Sequence, residues 1–235
     1  MMGLHRLVRL TGGALLMAVS CVAGAQARAT QPPAFSTGSL NGWKPKLFSG
    51  RAPTRYQITR DGHDQVLHAV CQNSSSGLIW AHRIDLRQTP ILSWRWKIGR
   101  IYPGLDPHQK AGDDYPARVY VVAGNPLLPW TLRSLVYVWA NGPVQATVHG
   151  LHGTPFYPDP YTGQAEIVAL EQGNGKVGDW VSEQRNVRAD LARAFGGHRQ
   201  VIGAIAVMSD CDDSHNHGQA WYGDISLKQD DSAPK

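Results

Sequence analysis

The chain has 235 residues, with 23 Lys and Arg set against 18 Asp and Glu, and only 17% of its residues are charged. A formal charge of +5, scattered without a basic run, is too small to argue for a nucleic-acid partner. Beyond the N-terminus no stretch is apolar enough to span a bilayer.

His5, Arg6 and Arg9 precede a largely apolar run from Leu10 to Ala23, and Ala25-Gln26-Ala27 supplies the small residues that a signal peptidase reads. Residues 1–27 are therefore expected to be a signal peptide cleaved after Ala27, with lipidation at Cys21 in Ala18-Val19-Ser20-Cys21 as the alternative. Cleavage would leave 208 residues, carrying 21 basic against 18 acidic groups, a net of +3, in the periplasm or outside the cell. A mildly basic exported protein suits acidic glycans or anionic envelope polymers. Two of the three cysteines, Cys71 and Cys211, survive that cut. An even pair in an oxidising compartment argues for one disulfide, and two buried thiols are the alternative.

Residues 28–40, rich in Ala, Thr, Gln and Pro, read as a flexible lead. Strands follow at Thr54–Thr59, Gln65–Cys71, Leu78–Ile84 and Ile91–Ile98. The last places Trp94, Trp96 and Ile98 on one face. A long Pro- and Gly-rich segment from Arg100 to Gly112 is of the kind that carries function. Next comes a strand from about Pro116 to Ala123, with Arg118, Tyr120 and Val122 on one face and Ala117, Val119 and Val121 on the other. Leu132–Ala140 alternates, with Leu135, Tyr137 and Trp139 together. Another loop, 141–163, carries His149 and His152. Glu166–Glu171 and Trp180–Gln184 form a hairpin. Asn186 is positioned to cap the one good helix, Val187–Phe195, which Gly196-Gly197 ends. Val201–Asp210 and Ala220–Leu227 are the last strands, and 229–235 is expected to fray. Many short strands, one helix and no βαβ rhythm predict a mainly β protein. The expected fold is an antiparallel, jelly-roll-like β-sandwich spanning 41–228 as a single domain.

Three groups of residues carry chemistry. Asp113 and Asp114 follow a glycine, and one of the pair can act as acid or base while its neighbour tunes it. They also suit ordinary turn capping. Asp210, Asp212, Asp213 and His215 have the spacing of a candidate divalent-metal site, calcium by the oxygens or zinc by the imidazoles. The bland alternative is a solvated loop. Tyr137, Trp139, Trp221 and Tyr222 are either a stacking surface for sugar rings or core. Arg118, placed with Tyr120, Tyr137 and Trp139, would form a groove for an acidic saccharide.

Several of these motifs also resemble a bacterial exported family of unknown function, numbered 3047. They are Trp94-Arg95-Trp96, Gly112-Asp113-Asp114, Ala117-Arg118-Val119-Tyr120-Val121, Tyr137-Val138-Trp139, Arg185-Asn186-Val187 with Asp190, Phe195-Gly196, Met208-Ser209-Asp210 and Gly223-Asp224-Ile225. The resemblance implies an exported domain with two acidic clusters and no assigned reaction. Cys211, Asp213 and His215-Asn216-His217 depart from the family pattern, which weakens a metal role for the histidines.

The residues thus predict a polysaccharide-binding β-sandwich. As an enzyme it would be a glycoside hydrolase or polysaccharide lyase, with Asp113 or Asp114 paired to Asp210 or Asp212. The rival reading is a non-catalytic binding module that uses the same face. No organic cofactor is implied.

Overall fold

The computed structural model describes residues 30–231 apart from 126, 151 and 152. The expected signal peptide, the alternative lipidation at Cys21 and His152 lie outside the described residues. Among the described residues no helix is long and apolar enough to cross a membrane.

Eight strands form one sheet in the order β1 (Lys44–Leu47), β4 (Ser75–Asp85), β12 (Val201–Asp210), β6 (Arg118–Ala123), β7 (Arg133–Ala140), β10 (Ala165–Gln172), β9 (Pro155–Pro158) and β8 (Val148–His149). The second sheet runs β11 (Val181–Asn186), β5 (Ile91–Ile98), β13 (His217–Tyr222), β3 (Asp64–Gln72) and β2 (Arg55–Asp61), with β14 (Ser226–Lys228) also paired to β5. The protein is a mainly β sandwich, and among the described residues it has one α-helix, α1 (Val187–Phe195), as expected. Two pairings depart from expectation: β10 lies parallel to β7, and β10 and β11, expected to form a hairpin, belong to different sheets, with β11 paired to β5 instead. Short β1, β8 and β9 were not anticipated, because runs of two to four residues in Pro-rich sequence carry no alternation to read.

Alternation decides which faces meet. Trp94, Trp96 and Ile98 of β5 turn inward and are buried, as do Leu135, Tyr137 and Trp139 of β7. Trp96 and Trp139 meet across the sandwich with ring centroids 6.1 Å apart. Burying an aromatic side chain of that size stabilises the fold by about 5 kcal/mol at the usual apolar coefficient. Asn186 caps α1, its Oδ1 accepting from the Ala189 amide at 3.0 Å. Asp190 of that helix is buried yet paired. It accepts from Arg185 at 2.9 and 2.8 Å and from the Tyr137 hydroxyl at 2.9 Å.

Cys71 on β3 and Cys211, just after β12, are disulfide-bonded with Cα atoms 6.2 Å apart, so the bond ties one sheet to the other. The described part of the expected flexible lead, residues 30–40, is packed instead. Phe35 is fully buried against Trp43, with centroids 5.1 Å apart, and the Gln31 side chain makes two 2.8 Å bonds to the backbone of Leu227. Its composition hid one apolar anchor that finds the core. The start of the expected frayed tail is also held, as Asn186 donates to Asp230 at 3.0 Å.

Candidate functional site

The strand that carries Arg118 opens at one end of β6, and the register brings it beside Met208 of β12. Arg118 therefore points to the face of the eight-stranded sheet that turns away from the main core. It is only 1% exposed there, and its charge has two partners. Nε donates to Asp210 at 2.8 Å, Nη2 donates to Asp210 and to the Asp113 carbonyl, and Nη1 reaches the Asp113 carboxylate at 3.3 Å. The guanidinium lies 4.4 Å from the Tyr115 ring centre. Burial opposes the charge on Arg118, but Asp113 and Asp210 outweigh it and hold the group above its ordinary range. Burial likewise raises both acids against the pull of Arg118, Asp113 to about 6 and Asp210 well above the carboxylate range.

Asp113 and Asp114 diverge. Asp113 faces the cleft beside Arg118. Asp114 is fully buried behind it and accepts from the amides of Asp213 at 3.3 Å and Ser214 at 2.6 Å. The expectation that Asp114 could be a catalytic carboxylate is corrected: both of its oxygens are used to fold the loop after β12.

Around Arg118 lies a cleft of about 250 Å³. Tyr120, Met208 and Asp210 form its floor, Asp113, Asp212, Asp213 and Arg51 its polar wall, and Phe48 and Tyr161 its aromatic rim. Phe48 is 37% and Tyr161 47% exposed. Arg51 bridges Asp212 at 2.8 Å and Asp213 at 2.9 Å, and the Tyr161 hydroxyl donates to Asp213 at 2.7 Å. Burial raises Asp212, with Arg51 pulling the other way. Lys46 and Lys110 stand 5.7 and 5.2 Å over the rings of Phe48 and Tyr161.

Of the residues picked from sequence, the structure brings Asp113, Arg118, Tyr120, Asp210, Asp212 and Asp213 together. It does not bring Tyr137 and Trp139 there. Both are fully buried, because Val119 rather than Arg118 is the register partner of Tyr137, and paired residues share a face. The pair therefore fills the core and has no ring free for a sugar. Tyr222 is buried as well, and its hydroxyl donates to the Met208 carbonyl at 2.7 Å. Trp221 is half-buried on the outer face of the second sheet, stacked on His68. Arg118 is also not available to a ligand's acid, since each of its nitrogens already has a protein acceptor. Arg51, Phe48 and Tyr161 escaped the sequence reading. Their contacts span 162 residues for Arg51 with Asp213 and 52 for Tyr161 with Asp213, and no local pattern announces them.

The metal expectation changes membership. Asp114, Asp212 and Asp213 bring carboxylate oxygens within 4.8 Å of one another. Such an oxygen set could hold a hard cation such as calcium. Asp210 is instead committed to Arg118, and His215 meets Asn73 at 2.9 Å while His217 meets Arg100 at 2.9 Å. No imidazole joins the cluster among the described residues, so its chemistry does not suit zinc. Arg51 pairs with Asp212 and Asp213, two backbone amides donate to Asp114, and a cation would have to displace Arg51.

A family model described as "Protein of unknown function (DUF3047)" matches residues 41–226. A search of curated proteins finds no match. Among solved structures, the chain is similar to a family 12 xyloglucanase from Bacillus licheniformis, at 9% identity and a TM-score of 0.47, over 86% of this chain and 100% of the other. It is similar to the xyloglucanase domain of NopAA, a type three effector from Sinorhizobium fredii, at 9% identity and a TM-score of 0.47, over 86% and 98%. A carbohydrate-binding module specific for non-crystalline cellulose matches at 10% identity and a TM-score of 0.42, over 86% and 95%. Scores at this level leave function to be argued from the residues themselves.

Proposed function

The chain belongs to the family described as "Protein of unknown function (DUF3047)", and from the cleft on its eight-stranded sheet we propose that it binds a polysaccharide whose cleft-bound stretch is uncharged. The observation that carries this reading is the convergence of exposed rings and hydrogen-bonding carboxylates in one open cleft. Phe48 and Tyr161 offer apolar ring surface to the C–H faces of a sugar, while Asp113, Asp212 and Asp213 accept hydrogen bonds from its hydroxyls. Both guanidinia that line the cleft are engaged by its carboxylates, and Lys46 and Lys110 stand only over the rim rings, so among the described residues the floor itself offers no free cation to an acidic sugar. A volume of 250 Å³ lies just below the about 300 Å³ at which small-molecule pockets begin, which suits a short stretch of a chain running across it. Export to an oxidising compartment is part of the same reading, supported by the disulfide between the sheets.

A second reading, hydrolysis, has one specific observation in its favour. Burial lifts Asp113 to about 6, so near neutral pH this cleft carboxyl exchanges a proton readily, as a general acid must. Asp212, also raised by burial, would be the second carboxylate.

Both readings are tested on the protein as cells produce it, with Tyr161→Ala and Asp113→Asn variants and a panel of neutral and acidic polysaccharides. Retention would be measured by affinity electrophoresis and chain shortening by mass spectrometry. Retention of a neutral polysaccharide, weakened about tenfold in Tyr161→Ala, supports binding. Shortening that Asp113→Asn abolishes, with water added at the new ends and no unsaturated product, makes the protein a hydrolase. Retention of acidic chains alone, or of none, overturns the proposal.

A further inference from the structure

The end of the sandwich opposite the cleft carries an apolar knuckle. In the loop between β6 and β7, Leu127, Leu128 and Trp130 are 85%, 39% and 68% exposed. They are held outward by a built turn. The Thr131 amide donates to the Leu128 carbonyl at 2.8 Å and the Leu132 amide to the Pro129 carbonyl at 3.1 Å. Gln164 Nε2 reaches that same Pro129 carbonyl at 3.1 Å. Two leucines and an indole displayed together mark a contact surface, where a lone exposed leucine would not.

The register shows what surrounds them. Asp85 pairs with Val201, Ile202 with Ala123 and Ala123 with Arg133, so one end of the sheet gathers Arg83, Arg87, Arg133 and Arg199. Arg133 lies 6.0 Å over the ring of Phe195, which brings the last turn of α1 and Arg193 to the same end. The acids that the register places there are Asp85, bound to Arg87 at 2.5 Å, Asp159, whose amide donates to the Ala165 carbonyl at 3.3 Å, and Glu166, whose carboxyl burial pushes up to about 7. The end is cationic around an apolar tip.

We propose that this end docks on an anionic lipid bilayer, with Leu127, Leu128 and Trp130 entering the interface and the arginines facing the headgroups. Indoles favour the membrane–water boundary, and basic residues beside a small apolar insertion add electrostatic attraction to anionic lipids. Other occupants fit less well. A second copy related by two-fold symmetry would bring one cationic end against another. A dissolved anionic polymer would use the arginines but leave the leucines and the indole unexplained. The geometry also suits a membrane-bound polysaccharide binder. Val201 and Asp210 stand at opposite ends of β12, about 30 Å apart at the usual rise per residue, so docking at one end turns the cleft outward.

The test is flotation of the protein, as cells produce it, with vesicles of phosphatidylcholine alone and of phosphatidylcholine mixed with phosphatidylglycerol. The mixed vesicles should carry the protein, and added salt should release it. Leu127→Asp/Trp130→Asp should weaken flotation about tenfold while leaving the circular dichroism melt and polysaccharide retention unchanged. The inference fails if mixed vesicles leave the protein behind, or if the double variant floats as well as the parent. It also fails if the knuckle instead drives a concentration-dependent dimer in light scattering. Polysaccharide retention is read separately, so failure here does not touch the cleft.

Discussion

Arg118→Met tests the centre of the site most directly. The parent guanidinium is 1% exposed, and its partners Asp113 and Asp210 have side chains only 9% and 4% exposed. Methionine fills much of the same volume and removes every charge-assisted bond, leaving two carboxyls buried without a cation. Breaking a buried pair from one side costs about 3–5 kcal/mol. At about 2–4 °C per kcal/mol for a protein of this size, the melting temperature at pH 8 should fall by roughly 6–20 °C. The sign of the pH dependence follows from burial. In the folded variant both carboxyls bind protons at higher pH than in the unfolded chain, so folded protein holds more protons and loses stability as pH rises through their folded values. The gap between variant and parent should therefore be widest at pH 8 and narrow toward pH 5. Adding Asp113→Asn and Asp210→Asn to Arg118→Met should recover most of the loss, because the buried charges leave with the cation. Calorimetric scans from pH 5 to pH 8 measure all of this. A loss under about 1 kcal/mol, or one independent of pH, would refute the view that this trio is a closed, desolvated network.

Two further outcomes are expected. Replacing Cys71 and Cys211 by serine opens a loop of 140 residues, and the chain-entropy relation credits its closure with about 5 kcal/mol. Urea midpoints should drop accordingly, and reductant should shift the parent but not the double variant. Glu183 is pushed up to about 7 by burial, with Glu171 adding to the effect. Its contribution is fully present below about pH 4.5 and lost as pH rises through 7, so Glu183→Gln should stabilise the protein at pH 8 by up to about 3 kcal/mol and leave it nearly unchanged at about pH 4.

How far such a site can be read from sequence depends on how local its causes are. The inward stripe of β5 and the Asn186 cap are set by period and dihedral geometry over a few residues, and both were legible. Tyr137 and Trp139 were misplaced because alternation tells that two residues share a face but not which face meets the core. That depends on the register between β6 and β7, which no single strand carries. Arg51 and Tyr161 were invisible for a related reason. They come from irregular loops, and only the closed sandwich brings them to Asp212 and Asp213. The metal set was misjudged because consecutive acids look alike in sequence, whereas folding gives Asp210 to Arg118 and Asp114 to the loop amides.

These assignments make the segment from Asp210 to Ser214 the joint on which the cleft depends. Asp210 neutralises Arg118 on the sheet floor, Cys211 ties the segment to the other sheet, and Asp212 and Asp213 hold Arg51 at the wall. The amides of Asp213 and Ser214 close the segment onto Asp114, the neighbour of the cleft carboxyl Asp113. Each contact fixes a different side chain of the cleft, and none of those side chains has to be ordered again when a ligand arrives. A binding surface held this way, although much of it is carried on loops, saves the ordering entropy that an untethered loop would lose. Burial raises Asp113 against the pull of Arg118, and Asp159 and Asp213 add to the effect. Loosening the segment, as the cysteine variants do, should weaken polysaccharide retention and bring Asp113 back toward an ordinary carboxyl together.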